Sequence, residues 1–595
     1  LARASHQEYD GAGGNNRFSI GDGTTTLNYH SAHVTGTIIA SGVVANAKGM
    51  APQASAVGYE WNNDTSEATT AAGNGMLVSN HSYGYATRNA QGQPQLPDYY
   101  FGGYITDSRD WDNIMFNAPY YLMVVAAGND GSDNTANGAP LDGNSSYDKL
   151  SGHATAKNNM VVANANDANV DANGNLVSVT INSSSSEGPT DDYRIKPDIT
   201  GNGTSVYSTY ESSDTAYNSI TGTSMASPNV AGSLLLLQQH ANNVNGSYMR
   251  AATLKGLALH TADDAGSNGP DAIFGWGLMN SKSAAEAITN NGNESKIEEL
   301  TLSNGQSYQI TVDSDGVNDL YASISWTDRA GTATTTANSN SAVLVNDLDI
   351  RVTKGGTTHT PWRLTGVTTN GQGDNSKDPY ERVDIANASG TYTITVTHKG
   401  TLTGGSQNYS LIVTGLSGTP IVCSATTPTG LSVDGFGSST ATVSWDAVPG
   451  ASYDFRYRQA GTSTWITSSV SGTSTSLSGL TPETSYEVQV RSMCADNSTS
   501  SYSSSANFTT TEVQLNYCAS TSSNVNDEYI SRVQLGTIDN ASGGQFYSDF
   551  TNISTVLRQG DSYTITVTPT WTGTAYAEGY SVWIDYNHDG DFIDS

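Results

Sequence analysis

A serine, a histidine and an asparagine stand in three short strings whose residue types suit acyl transfer. Ser224 lies in Gly222-Thr223-Ser224-Met225-Ala226-Ser227-Pro228, which opens the most apolar helix of the chain. Backbone N–H groups at a helix start are unpaired and can stabilise a developing oxyanion. A serine hydroxyl is barely ionised at neutral pH and needs a base beside it. His33, in His30-Ser31-Ala32-His33-Val34-Thr35-Gly36-Thr37, can be that base, since an unperturbed imidazole titrates at ~6.5. Asn129 ends the run Val124-Val125-Ala126-Ala127-Gly128-Asn129 and offers a side-chain amide to the same oxyanion. Loss of such a donor typically costs ~10²–10³ in rate. His33 and Ser224 are distant in the chain, so only tertiary folding can join them.

The elements that must hold these residues follow from the hydrophobic pattern. Apolar runs at 54–59, 76–78, 122–127 and 160–163 are short and bounded by polar residues or Gly, as buried parallel strands are. Helix-like stretches at 34–45, 64–76 and 224–240 lie between them. Strand–helix alternation predicts an α/β domain with a parallel sheet over residues 1–292. After about residue 296 the texture becomes alternating apolar and polar, at 307–312, 321–326, 391–396 and 409–413. Such segments are strands with one wet face. They predict a β-sandwich at 297–418, a second module at 425–511 with Trp445, Tyr457, Leu480 and Tyr486 in its core, and a third at 514–595. Ser/Thr/Gly-rich joints at 415–428 and 509–514 suit linkers.

The His33, Asn129 and Ser224 strings together resemble the subtilisin-like serine proteases, the subtilase family, over roughly residues 1–292. The fold class this implies is α/β: a subtilisin-like parallel-sheet catalytic domain followed by all-β sandwich domains. Further strings match. Asn80-His81-Ser82-Tyr83-Gly84 resembles the family's substrate-pairing strand, which assigns substrate contact to Ser82, Tyr83 and Gly84. Ala126, Ala127 and Gly128 would wall the pocket for the side chain before the cut bond, leaving room for a medium or large apolar group. The loop Glu187-Gly188-Pro189-Thr190-Asp191-Asp192 and Lys196-Pro197-Asp198 resembles one in the alkaline branch, and Gly275-Trp276-Gly277-Leu278-Met279-Asn280 resembles the end of the catalytic domain. A Gly222-x-Ser224-x-Ala226 string also has the look of an α/β-hydrolase elbow, but there the His follows the Ser. His30-x-x-His33 lacks the His-Glu-x-x-His spacing of a zinc site.

The resemblance also implies an Asp that holds the imidazole in the right tautomer, placed at the end of an apolar strand before the His. Asp10 and Asp22 precede His33, but the residues before Asp10, Ala4-Ser5-His6-Gln7-Glu8-Tyr9, are polar. The expectation is that the acid lies upstream of Leu1, with Asp10 as the acid or a natural loss of activity as the alternatives.

The composition narrows the function classes. Over 595 residues, 25 Lys and Arg stand against 56 Asp and Glu, a formal net charge of −31, which excludes a protein that neutralises nucleic-acid phosphates. No apolar run is long enough for a membrane span. Charged residues are only 14%, and Tyr outnumbers Phe 32 to 10, which suggests a secreted, β-rich protein; that it is bacterial, and extracellular or at the cell surface, is what the resemblances to subtilases and to a Bacteroidetes-type surface module imply. Cys423 and Cys494 could pair in an oxidising compartment, leaving Cys518 over. Residues 297–418 resemble the jelly-roll that follows the catalytic domain in some alkaline subtilases, 425–511 a fibronectin type III domain, and 514–595 a truncated Bacteroidetes-type surface module. Structural Ca²⁺ is expected at Asp347 and Asp349, and at Asp585, Asn587, Asp589 and Asp591, where the spacing is that of a calcium loop; no cofactor is expected in catalysis. The expected function is secreted endopeptidase action on protein or peptide substrates, with surface or polysaccharide contact through the β modules. The alternative is a binding or adhesion protein carrying an inactive protease domain.

Overall fold

The computed structural model describes residues 1–9, 16–172, 174–418, 424–448, 451–470, 472–494, 498–513, 519–586 and 592. The chain divides into two compact units: Leu1–Asp434 with Thr442–Ser476 and Glu487–Ala506, and Gly435–Ala441 with Leu477–Tyr486 and Asn507–Ser595.

The first unit opens with β1 (Phe18–Ile20), α1 (Tyr29–Ile39), β2 (Ala56–Gly58), α2 (Asp64–Gly73), β3 (Val78–His81), α3 (Thr106–Asn117), β4 (Leu122–Ala126) and β5 (Met160–Ala165). It continues through the hairpin β6 (Asn169–Val170) and β7 (Leu176–Ser178), then β8 (Ile199–Asn202), the hairpin β9 (Val206–Thr209) and β10 (Tyr217–Ile220), α4 (Thr223–Asn245), α5 (Ala251–His260) and α6 (Ser281–Thr289). Strands β3-β4-β5-β8 form one parallel sheet in that order. Every residue of β4 and β5 is buried, because helices cover both faces. On one face Leu122, Val124, Met160 and Val162 pack with Val230 and Leu234 of α4; on the other Met123, Val125 and Val161 pack with Trp111 and Met115 of α3. This is the layered arrangement expected of a buried parallel sheet.

Two local expectations shift, and one helix stands where none was expected. The helix expected at 34–45 starts at Tyr29 and ends at Ile39. Asn28 caps it, its Oδ1 accepting from His30 N and Ser31 N, and the following N–H groups of Gly42, Val43 and Val44 turn to the buried Glu8 carboxylate instead of continuing the helix. The strand expected at 76–78 lies at Val78–His81, where the polar Ser79 and Asn80 side chains find partners in Tyr121 and Ser227. Helix α3, with a polar sequence, buries only Ser108, Trp111, Asp112 and Met115, a spacing of three and four that marks one helical face.

The chain then enters β11 (Ser295–Ser303), β12 (Tyr308–Asp315), β13 (Leu320–Ser325), β14 (Leu348–Lys354), β15 (Thr357–His359), β16 (Trp362–Gly366), β17 (Thr369–Gln372), β18 (Tyr380–Ile385), β19 (Ser389–His398) and β20 (Ser406–Thr414). Two four-stranded sheets, β11-β20-β13-β18 and β12-β19-β14-β15, are antiparallel throughout and enclose Leu320, Ile324, Ile350, Val383, Ile394 and Leu411. The first of them packs against α5. There Thr253 and Ser410 hydroxyls meet at 2.7 Å, His260 Nδ1 and Ser323 Oγ at 2.7 Å, and the Arg382 guanidinium lies against the rings of Trp276 and Tyr321 at 4.8 and 5.1 Å. The fully buried Lys157 ammonium pairs with the fully buried Asp328 carboxylate.

Seven strands follow: β21 (Ser432–Phe436), β22 (Thr440–Ser444), β23 (Ser452–Gln459), β24 (Ile466–Val470), β25 (Ser474–Ser478), β26 (Ser485–Met493) and β27 (Ala506–Thr509). Trp445 is buried against Tyr453 and Phe455, which take the place expected for Tyr457, itself only half-buried. Within the second unit Tyr486 stacks on Phe508, and its hydroxyl accepts from Thr481 N at 2.9 Å. Further along, β28 (Glu528–Leu535), β29 (Ile538–Ala541) and β30 (Thr566–Trp571) form an antiparallel sheet in the order β29-β28-β30. Cys494 is disulfide-bonded; Cys423 and Cys518 lie outside the described residues, as do Asp10, Asn587, Asp589 and Asp591. Among the described residues no helix is long and apolar enough to cross a membrane.

Candidate active site

Ser224 sits in the first turn of α4 and is 9% exposed. Its Oγ donates to the Ser82 carbonyl at 3.3 Å, and Ser82 Oγ donates back to the Ser224 carbonyl at 2.9 Å. The strand leading to Ser82 is fixed to the same helix one pleat earlier: Ser227 Oγ donates to Asn80 Oδ1 at 2.7 Å, and Asn80 Nδ2 donates to Ser82 Oγ at 3.0 Å. Asn129 closes the cluster. Its Oδ1 accepts from Thr223 N at 3.0 Å and from Thr223 Oγ1 at 3.2 Å. That orientation leaves Nδ2 exposed and without a hydrogen-bond partner among the described residues, one residue from the serine. Ser224, Asn129 and Ser82 therefore converge, and Asn80, Thr223 and Ser227 join them as residues that sequence reasoning did not single out. The signal for Asn80 was its two-residue spacing from Ser82, which puts both on one strand face.

His33 lies in α1, which packs on α4 and β9. The approach is close at Gly36, where a Cβ would stand 2.3 Å from Thr209 Oγ1 and 2.4 Å from Ser208 Oγ, so the glycine of the histidine string is a packing requirement. The His33 ring is buried. Nε2 donates to the Val206 carbonyl at 2.8 Å, and Nδ1 is buried without a partner. Burial holds the imidazole down to about 4, against the raising effect of the Val206 and Asn218 carbonyls. The imidazole and the Ser224 hydroxyl thus face different carbonyls and do not hydrogen-bond each other. Asp22 is exposed and accepts from Thr24 N at 3.0 Å and Glu60 N at 2.6 Å, so it is not the imidazole's orienting acid. His30, half-buried, has its ring edge-on to Tyr29.

Beyond β3, Tyr83 is held from both ends. His153 Nε2 donates to its carbonyl at 2.9 Å, His153 Nδ1 lies 3.5 Å from Asp107, and the Tyr83 hydroxyl donates to Asp64 at 2.8 Å. Gly84 is exposed. Ala126 and Ala127 are buried at the end of β4. Gly128, at φ 108°, is in the left-handed region, and a Cβ there would meet Ser186 Oγ at 2.8 Å, so the turn into Asn129 needs glycine.

The acidic cluster at Asp347 and Asp349 already holds cations. Lys399 Nζ lies 3.4 Å from Asp347, 3.1 Å from Asp349 and 2.8 Å from Asp374, and Arg351 lies 3.0 Å from Asp349. A lysine ammonium stands where a calcium ion was expected, so these residues, as placed, do not fit the metal. Of the second calcium loop, Asp585 alone is described.

Ser224 at the start of α4 and Asn129, three residues past the end of β4, thus stand together at one end of the parallel sheet. Residues 8–277 match the subtilase family (Peptidase_S8), and residues 426–511 match the fibronectin type III domain. Among curated relatives, subtilisin DY of Bacillus licheniformis is 27% identical over 292 residues, 48% of this chain and 87% of its own length. The PII-type proteinase of Lactococcus lactis subsp. cremoris is 45% identical over 75 residues, 12% of this chain and 4% of that proteinase. The minor extracellular protease Vpr of Bacillus subtilis is 32% identical over 142 residues, 21% of this chain and 18% of its own.

Proposed function

We propose that the protein is a secreted serine endopeptidase that cleaves proteins through an acyl-enzyme on Ser224. The observation that carries this reading is that Ser224 opens α4 next to Thr223, whose N–H donates to Asn129 Oδ1 at 3.0 Å. In the reaction His33 leaves the Val206 carbonyl and turns Nε2 to Ser224 Oγ. It takes the hydroxyl proton as the oxygen attacks the peptide carbonyl, then delivers that proton to the leaving amine. Asn129 Nδ2 and backbone N–H groups hold the oxyanion, and water releases the acyl group by the reverse route. The substrate lies extended along Ser82, Tyr83 and Gly84 as an added strand. The side chain before the cut bond, medium or large and apolar, enters beside Ala126, Ala127 and Gly128. The disulfide at Cys494 and the likeness to Vpr, an extracellular protease by name, support an extracellular setting.

Labelling the full chain with a fluorophosphonate tests the reading. Modification at Ser224, absent in Ser224→Ala, is the expected result. An unlabelled serine in the full chain would turn the reading over to a binding protein built on an inactive protease domain. Profiling of cut sites checks the pocket separately: acidic or basic residues before the cut bond would refute the apolar preference.

A further inference from the structure

The polar groups around Tyr83 form one directed series of hydrogen bonds. An ionised Asp64 carboxylate can only accept, so the Tyr83 hydroxyl gives its single hydrogen to Asp64, at 2.8 Å. His81 Nδ1, 2.8 Å from the same hydroxyl, must then carry a hydrogen and donate it. Burial holds the His81 imidazole down to about 3, so the ring is neutral and its Nε2 is an acceptor. Ser79 Oγ donates to that nitrogen at 2.7 Å, and the Tyr121 hydroxyl donates to Ser79 Oγ at 2.7 Å. Every hydrogen from Tyr121 to Asp64 is thereby assigned, and bonds aligned in one direction reinforce one another. The Tyr83 side chain is fixed at its tip.

Its backbone is fixed by a different residue. The Tyr83 carbonyl accepts from His153 Nε2 at 2.9 Å, and His153 Nδ1 lies 3.5 Å from Asp107 in the first turn of α3. His153 is 5% exposed. The turn that aims it begins at Gly152, φ 61°, where a Cβ would stand 2.4 Å from the Tyr85 ring. The next peptide unit is planar, so the Tyr83 carbonyl and the Gly84 N–H point in opposite directions from it. Holding the carbonyl on His153 therefore aims the Gly84 N–H away from His153. In an extended chain successive carbonyls alternate between two sides. The Ser82 carbonyl meets the Ser224 hydroxyl and the Tyr83 carbonyl meets His153, so the Gly84 edge returns to the Ser224 side. Gly84 is exposed, and nothing stands within 4 Å of where its Cβ would be. Among the described residues its N–H and carbonyl have no backbone partner. Glycine is the residue least able to hold a peptide plane by its own conformational preference.

We propose that His153, oriented by Asp107, is a positioning residue for an extended peptide: by holding the Tyr83 carbonyl it aims the Gly84 N–H at the bound chain. This deepens the reading of Ser224 as nucleophile and rests on it for the direction in which the peptide lies. Gly84 is two residues from Ser82, so only a peptide reaching two residues beyond the one that faces Ser82 feels the effect. A ligand confined to the pocket beside Ala126 and Gly128 does not.

The test uses the full chain carrying Ser224→Ala, so that binding is read without turnover, and titration calorimetry with two probes: acetyl-Ala-Ala-Ala-Phe amide and acetyl-Phe amide. Adding His153→Phe, which keeps a ring and removes the donor, should weaken the tetrapeptide about tenfold and leave the single residue within about twofold. Adding His153→Gln instead, whose amide can donate from the place of Nε2, should bring the tetrapeptide back to within about threefold of the parent. Equal weakening of both probes by His153→Phe, or a tetrapeptide affinity that does not change, would overturn the proposal. If His153→Phe does not fold, Asp107→Ala carries the same test: about threefold weaker binding of the tetrapeptide alone supports the role, and unchanged binding refutes it. Fluorophosphonate labelling of the wild type is read separately. An unlabelled Ser224 alongside the expected difference between the two probes would end the acyl-enzyme reading and still support His153 as the residue that sets the strand.

Discussion

Ser82 and Ser224 exchange hydrogen bonds, each hydroxyl donating to the other residue's carbonyl, at 2.9 and 3.3 Å. The candidate nucleophile and the strand along which substrate is proposed to pair are therefore one mechanical piece. A shift of that strand by a fraction of an ångström moves the serine with it, and orientation of the reacting groups contributes several kcal/mol to such reactions.

Ser82→Ala removes one of the two bonds and the acceptor of Asn80 Nδ2. A neutral hydrogen bond of this kind contributes ~1 kcal/mol, so kcat/KM toward a peptide substrate should fall about fivefold while fluorophosphonate labelling of Ser224 persists. Loss of labelling in this variant would mean that the bond does more than align the strand.

Asn129→Ala should lower kcat by ~10²–10³ with KM nearly unchanged, because an oxyanion donor acts on the transition state and not on the bound ground state. Steady-state kinetics separate the two. A rise in KM with kcat intact would instead assign Asn129 to holding Thr223, whose N–H it accepts.

Acid should unfold the protein early. Burial holds His33 down to about 4 and His81 to about 3, and holds the fully buried His260 well below its ordinary range. Between these values and ~6.5 the unfolded chain binds protons that the native chain does not, so stability falls as pH drops through that window. For His33 alone, the loss from pH 6.5 to 4 is ~3 kcal/mol. Urea midpoints at pH 7, 5.5 and 4 check this, and His33→Gln should flatten the wild-type slope.

Lys157 and Asp328 join the parallel-sheet domain to the β-sandwich through a buried pair, with Lys157 Nζ also donating to the Val343 carbonyl at 2.9 Å. Lys157→Met leaves Asp328 charged and unpaired and should cost ~3–5 kcal/mol in chemical denaturation. Lys157→Met with Asp328→Leu should recover most of it, since paired apolar replacements avoid the desolvation cost. A chain ending at residue 292 should not fold to the same state, because α5 would lose the sheet that covers Thr253 and His260.

Much of the framework is legible in the amino-acid order because it depends on local chemistry. Strands buried on both faces, such as 122–126 and 160–165, are built mainly of apolar residues, and Ser224 stands in the first turn of a long helix with a largely apolar buried face. The extent of Val78–His81 was not legible from the apolar pattern because its polar side chains are satisfied by distant partners, Ser79 by Tyr121 and Asn80 by Ser227. The same applies to α3, whose inward face rests on four residues, and to the end of α1, which Glu8 fixes by drawing in the next three N–H groups.

The sequence by itself determined which residues stand at strand ends and helix starts, and so which side chains could take part in acyl transfer. Only the tertiary structure decided what those side chains face: His33 turned to the Val206 carbonyl, Asn129 anchored through its oxygen on Thr223, and His153 set on the Tyr83 carbonyl. The reason is one of range. Propensity, burial and capping act over a few neighbouring residues, whereas the partner of a polar atom in the interior is set by segments a hundred or more residues away.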